Sequence, residues 1–311
     1  MHGLPYWRLS GFYFFYFAFV GAFAPYWSLY LKSLEFSAFQ IGVLMSLLQV
    51  ARIFAPNLWG WLADHTGRRV AVVQLAAALS LLFYLGVFVG DSFAWLFVVM
   101  ALMSIFWSAS LPLVEAITLG HLGEGSADYG RIRLWGSVGF IIAVIVLGYV
   151  LDYAPVRALL WIIIGLKLGV LLFSRNIPEP QVEPHHTDDG PVWDILRRPE
   201  VAAFLVACFL MAAAHGVYYT FYSIYLVDHG YSKGIVGWLW ALGVICEIIV
   251  FLLMPRLTAR FGLRHILMVS FLLAGLRFLM IGWGVQSMAV MLLAQCLHAA
   301  SFGSYHAAAI A

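Results

Sequence analysis

Seven ionisable residues sit where almost everything around them is apolar. Glu115, Arg133, Arg52, Glu247 and Arg277 each fall inside a long apolar run, and so do His215 and His298. A charge held at mid-membrane depth costs about 2.5–3.5 kcal/mol even on insertion scales, so such residues mark a binding site, an ion path or a buried pair. Arg133 presents a planar fork that fits a carboxylate, and Glu115, eighteen residues earlier, can accept a hydroxyl or a proton. A structural salt bridge between adjacent helices is the plainer reading of that pair. Glu247 is the first candidate for a proton carrier, with Arg277 and Arg52 as accompanying coupling or gating charges. A lone imidazole in an apolar run is more often a satisfied core residue than a ligand, so His215 and His306 rank low. Lys167 is expected to snorkel to the headgroups. Tyr16, Tyr219 and Phe140 are candidate cavity rings.

What these residues lack is equally informative. No nucleophile–base set accompanies them, and no phosphate-binding glycine loop is present, so neither an enzyme nor an ATP-driven pump is indicated. His185 and His186 have no third ligand spaced for a metal. Cys208, Cys246 and Cys296 all lie in apolar runs, which suits neither a disulfide framework nor a zinc site.

The elements that must position these side chains are membrane helices. Of 311 residues, 64% are hydrophobic and only 10% charged, with a formal net charge of +2. Soluble domains carry about 25% charged residues, so the composition is that of a polytopic membrane protein with no call for a nucleic-acid partner. About 20 apolar residues cross a bilayer. Such runs lie near 9–31, 38–62, 70–89, 93–119, 130–150, 156–174, 201–226, 235–254, 265–284 and 287–311, an all-α arrangement. With the N-terminus in the cytoplasm, Arg8, Arg68, Arg69, Arg131, Arg175, Arg197, Arg198, Arg256, Arg260 and Arg264 face inward. Only Lys32, Arg157 and Lys233 then face outward, the bias of the positive-inside rule. The tyrosines of the first and seventh spans (Tyr13, Tyr16, Tyr26, Tyr30, Tyr218, Tyr219, Tyr222 and Tyr225) are expected to face lipid for the most part.

The spans fall into two groups related by an offset of 195 residues. Ser28, Tyr30, Leu31, Ser37, Gly42, Gly67 and Arg69 recur as Ser223, Tyr225, Leu226, Ser232, Gly237, Gly262 and Arg264, among 12 identities over residues 26–69. This divides the chain into a six-helix half at 1–174, a Pro-rich cytoplasmic linker at 175–200 and a second half at 201–311. Parallel repeats of this kind build secondary transporters. Two halves of this period predict roughly 390 residues, so the second half is expected to be an incomplete fragment of about four helices. Arg52 and Glu247 occupy equivalent repeat positions.

Between the second and third spans stands Gly60-Trp-Leu-Ala-Asp64-His-Thr-Gly67-Arg68-Arg69, which resembles the loop motif of the major facilitator superfamily. Gly60 would permit close helix packing, Gly67 a tight turn, and Asp64 would accept hydrogen bonds in a conformational latch. The second half keeps only Pro255, Gly262 and Arg264, with Ala259 in place of the acid. A second segment, Tyr129-Gly-Arg131-Ile-Arg133-Leu-Trp135-Gly136-Ser-Val-Gly139-Phe140, together with Glu115, resembles the oligosaccharide–proton symporters typified by lactose permease. The wider pattern, including Gly230-Tyr231-Ser232, Gly237-Trp238-Leu239-Trp240 and Leu297-His298, resembles the 3-phenylpropionic acid permeases.

That resemblance implies a major facilitator fold and substrate contacts at Glu115, Arg133 and His298. It also implies a small-molecule cargo, protons as coupling ion, and no cofactor or protein partner. Phe140 stands where lactose permease stacks its sugar on a tryptophan, and Ser301 where that family has its proton-carrying acid. The first departure weighs against a sugar, and the second makes proton coupling by that particular residue unavailable. The expectation is therefore a proton symporter of the bacterial inner (plasma) membrane importing an aromatic acid. A sugar or nucleoside cargo is the near alternative, and a membrane receptor or non-transporting fragment the distant one.

Overall fold

The computed structural model describes residues 4–123, 126–180 and 197–310, with side chains of 126 and 127 left aside. Among these residues the chain is helical: α1 (Tyr6–Ser33), α2 (Ala38–Thr66), α3 (Arg69–Tyr84), α4 (Phe93–Leu122), α5 (Ser126–Tyr153), α6 (Ala158–Arg175), α7 (Pro199–Asp228), α8 (Lys233–Gly284), α9 (Met288–His298) and α10 (Ser304–Ile310). A 3-10 turn, Leu85–Phe88, continues α3, and a π turn, Ala299–Gly303, joins α9 to α10.

Helix starts and stops follow local chemistry. Ser37 and Ser232, equivalent in the repeat, both cap a first turn by accepting a backbone N–H, from Gln40 at 3.3 Å and from Ile235 at 3.2 Å. Gly67 ends α2 at φ 63°. Its repeat equivalent Gly262 lies at φ 73° inside α8. At 52 residues α8 would be about 78 Å long, far beyond a hydrocarbon core of about 30 Å. The left-handed residue divides it into 233–261 and 263–284, each long enough for one crossing. With that division, the nine long apolar helices of the described residues supply ten crossings.

The chain forms two compact units. The first takes residues up to 143 and from 153 to 186; the second takes 144–152 and the chain from 187 onward. The linker expected at 175–200, with His185 and His186, lies largely outside the described residues.

In the first unit α3 packs on α4 and α6, α2 on α4, and α1 on α6. Helix α1 is the most enclosed span, and an aromatic column runs along it: Tyr16 stacks on Trp107 at 4.3 Å and Phe19 meets the same ring at 4.1 Å. A side chain on Gly21 would come within 2.7 Å of the Phe140 carbonyl oxygen, and one on Gly139 would strike the Phe14 carbonyl. Backbone contact of this closeness between α1 and α5 is how membrane helices gain packing energy that water does not supply.

The second unit packs α9, the π turn and α10 against α8, with Met254, Ile266 and Ala308 forming a small core. The carboxylate of Asp152, at the end of α5, accepts from the Lys233 and Gly234 backbone N–H groups at 2.7 and 2.9 Å.

Two expectations are corrected. Tyr13, Tyr16, Tyr26, Tyr30, Tyr218 and Tyr222 are buried in protein rather than set against lipid. Their hydroxyls need partners that hydrocarbon cannot give: Tyr13 reaches Thr118 at 3.2 Å and Tyr218 reaches Gln295 at 3.1 Å. Lys167 does not snorkel. It sits mid-way along α6, 2% exposed, and donates to Ser80 Oγ at 2.8 Å.

Candidate functional site

In the first unit, α4 carries Glu115 and α5 carries Arg133, and the two meet at 3.8 Å, each about a third exposed. The guanidinium lies over the Phe17 ring at 3.9 Å and 5.7 Å from the Tyr13 ring, so α1 supplies its aromatic wall. Tyr16 is on the same helix but is sealed between Phe12 and Trp107. Phe140 is buried beside Gly21. Arg52 is exposed and donates to Gln49 at 3.1 Å.

The loop motif is assembled as a surface turn. Arg69 donates to Asp64 at 2.9 Å, and Arg68 precedes the first residue of α3. Gly67 takes the positive φ expected of it. A side chain on Gly60 would meet nothing within 4 Å among the described residues, so none of these helices packs closely on it. The sequence reading missed the acid that completes this corner, Glu179, which accepts from the Val70 N–H at 3.1 Å. A carboxylate at a helix N-terminus is the expected sign, and its place just after α6 was the available signal.

The second unit gathers a buried polar cluster. His298 Nε2 lies 3.1 Å from Glu247 Oε1. Arg277 is fully buried, donates from Nε to the Ala294 carbonyl at 3.1 Å, and holds Nη1 3.4 Å from His215 Nε2. His215 Nδ1 lies 2.9 Å from the Met211 carbonyl, which assigns the Nδ1–H tautomer and leaves Nε2 to accept. Arg277 also covers the Tyr218 ring at 4.1 Å. Tyr219 is half-buried nearby, 5.9 Å from Trp240 and 6.0 Å from Phe302 by ring centroids. The sequence reading settled on no partner for Glu247, which pairs with His298 in the structure. It also overlooked Gln295, a polar residue in an apolar span, which both accepts from and donates to Tyr218.

These two clusters place charged and aromatic side chains on membrane helices in each unit, the pattern of a transporter. The model of the MFS_1 like family matches residues 6–311. The chain belongs to that family. Among its relatives, the "Probable 3-phenylpropionic acid transporter" of Escherichia coli (strain K12) is 32% identical over 306 residues, covering 96% of this chain and 79% of the relative. The maltose permease of Geobacillus stearothermophilus is 28% identical over 270 residues, covering 86% and 68%. The solved structure of a point mutant of the nucleoside transporter NupG superposes with a TM-score of 0.88 at 20% identity, over 97% of this chain and 81% of that one. Family and fold are those of major facilitator transporters, and the protein is an integral membrane transporter.

Proposed function

We propose that this transporter imports an aromatic monocarboxylate such as 3-phenylpropionate together with a proton, by alternating access. The observation that carries the reading is the Glu247–His298 pair at 3.1 Å, a half-buried acid and a buried imidazole sharing one hydrogen bond inside apolar helices. Such a pair can take up and release a proton without exposing a bare charge to lipid. Aromatic rings border it, and the 32% identical relative bears the name "Probable 3-phenylpropionic acid transporter". Glu115, Arg133, Phe140, Tyr16, Tyr219 and His298 are the proposed substrate contacts. Glu247, Arg277 and Arg52 are the proposed coupling and gating charges, and Gly60, Asp64, Gly67, Arg68 and Arg69 the proposed latch. The bias of basic residues supports a cytoplasmic N-terminus in a bacterial inner membrane. The maltose permease among the relatives favours a sugar as second reading.

Uptake of labelled 3-phenylpropionate, maltose and uridine, with and without a protonophore, tests this. Protonophore-sensitive accumulation of the acid is expected, with Glu247→Gln abolishing accumulation but retaining exchange of labelled for unlabelled substrate. Accumulation of maltose or uridine in its place overturns the cargo, and indifference to the protonophore overturns the coupling.

A further inference from the structure

Two buried nitrogens in the second unit have no hydrogen-bond partner among the described residues: Nη2 of Arg277 and Nδ1 of His298. They belong to one network, since His215 lies 3.4 Å from Arg277 and its ring centroid is 5.9 Å from that of His298. An arginine guanidinium is a permanent cation. Among the described residues Arg277 meets a carbonyl, an imidazole and aromatic faces, none of them an anion. Glu247, the acid of this cluster, is engaged by His298. A fully buried cation with no acid within ion-pair distance among the described residues is a costly arrangement for a membrane helix to hold. It is retained where something else supplies the negative charge.

The other arginine is in the opposite condition. Arg133 has the Glu115 carboxylate at 3.8 Å, rests on Phe17 and keeps 31% of its side chain exposed. An incoming carboxylate would have to displace Glu115 there, and would gain only a partly solvated charge. At Arg277 it would meet an unpaired charge and an idle donor position in a dry setting, where a charge-assisted hydrogen bond is strongest.

We infer that the carboxylate of the cargo is anchored by Arg277, and that Arg133 is not the anchor. This rests on the aromatic-acid reading above and sharpens it. One unpaired cation matches one negative charge, which selects monocarboxylates over dianions and over neutral sugars or nucleosides. The rings of Tyr218 at 4.1 Å and Phe278 at 5.3 Å from the guanidinium carbon flank the position an aromatic acid would take.

The purified protein can be titrated with 3-phenylpropionate and with its uncharged amide, following tryptophan fluorescence. Trp240 is a local reporter, 5.2 Å from Tyr218. Thermal midpoints of Arg277→Gln, Arg277→Lys and Arg133→Gln show which variants are folded. Wild type should prefer the acid. Arg277→Gln should weaken the acid about 30-fold or more while moving the amide little, the size of a lost charge-assisted contact. Arg277→Lys, which keeps the charge and fills the site if glutamine does not fold, should fall between. Arg133→Gln should weaken acid and amide by a similar factor. The inference is overturned if Arg133→Gln erases the preference for the acid while either Arg277 variant preserves it. If wild type binds neither compound but binds maltose or uridine, the cargo reading fails. Benzoate and chloride then decide the anchor: quenching lost in the Arg277 variants keeps an anion site there, and quenching they leave unchanged removes it.

Discussion

Replacing Lys167 by methionine and by alanine separates what its ammonium contributes from what its stem fills. The ammonium donates to Ser80 at 2.8 Å and lies 4.4 Å from the Phe19 and Trp107 ring centroids. A charged hydrogen bond contributes about 1.5–3 kcal/mol, and a desolvated cation–π contact about 2 kcal/mol. Against these stands a desolvation cost of several kcal/mol for an ion removed from water. The terms nearly offset. Methionine keeps most of the volume, and Ser80 retains the Met103 carbonyl at 3.3 Å as a partner, so Lys167→Met should lie within about 1.5 kcal/mol of wild type. Lys167→Ala empties a site bounded by α1, α3 and α4 and should cost about 2–5 kcal/mol. Unfolding in mixed micelles by added dodecyl sulfate, followed by circular dichroism, measures both. If methionine is as damaging as alanine, the ammonium and not the packing holds these helices together, and the reasoning fails. If alanine matches wild type, the site is not packed as described.

Gly21→Ala would drive a methyl group to 2.7 Å from the Phe140 carbonyl oxygen, and should lower stability by about 1–3 kcal/mol, whereas Gly60→Ala should leave the thermal midpoint unchanged. Equal effects of the two would contradict the α1–α5 contact. Asp64→Asn breaks an ion pair in which the acid is 63% exposed, so stability should change by less than about 1 kcal/mol. The maximal uptake rate should nevertheless fall with substrate affinity kept. An unaltered rate would remove Asp64 from the latch.

The sequence displayed the parts of this structure that depend on local rules. Glu115 and Arg133 were conspicuous as charges in apolar runs, and their helices bring them together. Gly67 was expected to make a tight turn and takes φ 63°, and its repeat equivalent Gly262 takes φ 73°. Lys167 and the tyrosines were misjudged for one reason. Their helices are apolar on every side, so no hydrophobic stripe tells lipid from protein. Which face of α6 or α7 turns inward is decided by partners distant in sequence, such as Ser80 for Lys167 and Gln295 for Tyr218. That Arg277 meets no acid among the described residues was hidden likewise, because only packing gives Glu247 to His298.

The π turn at Ala299–Gly303 alters how the duplicated halves correspond. Its first-half counterpart, residues 104–108, is ordinary helix within α4. A π turn takes in one residue more than an α turn, and one residue rotates everything after it by about 100°. Counting at a constant 195 pairs Tyr305 and His306 with Ser110 and Leu111. Helical phase pairs them with Ala109 and Ser110. Past His298 a fixed residue offset therefore pairs side chains that stand about 100° apart around their helices, so matching by number alone joins different faces.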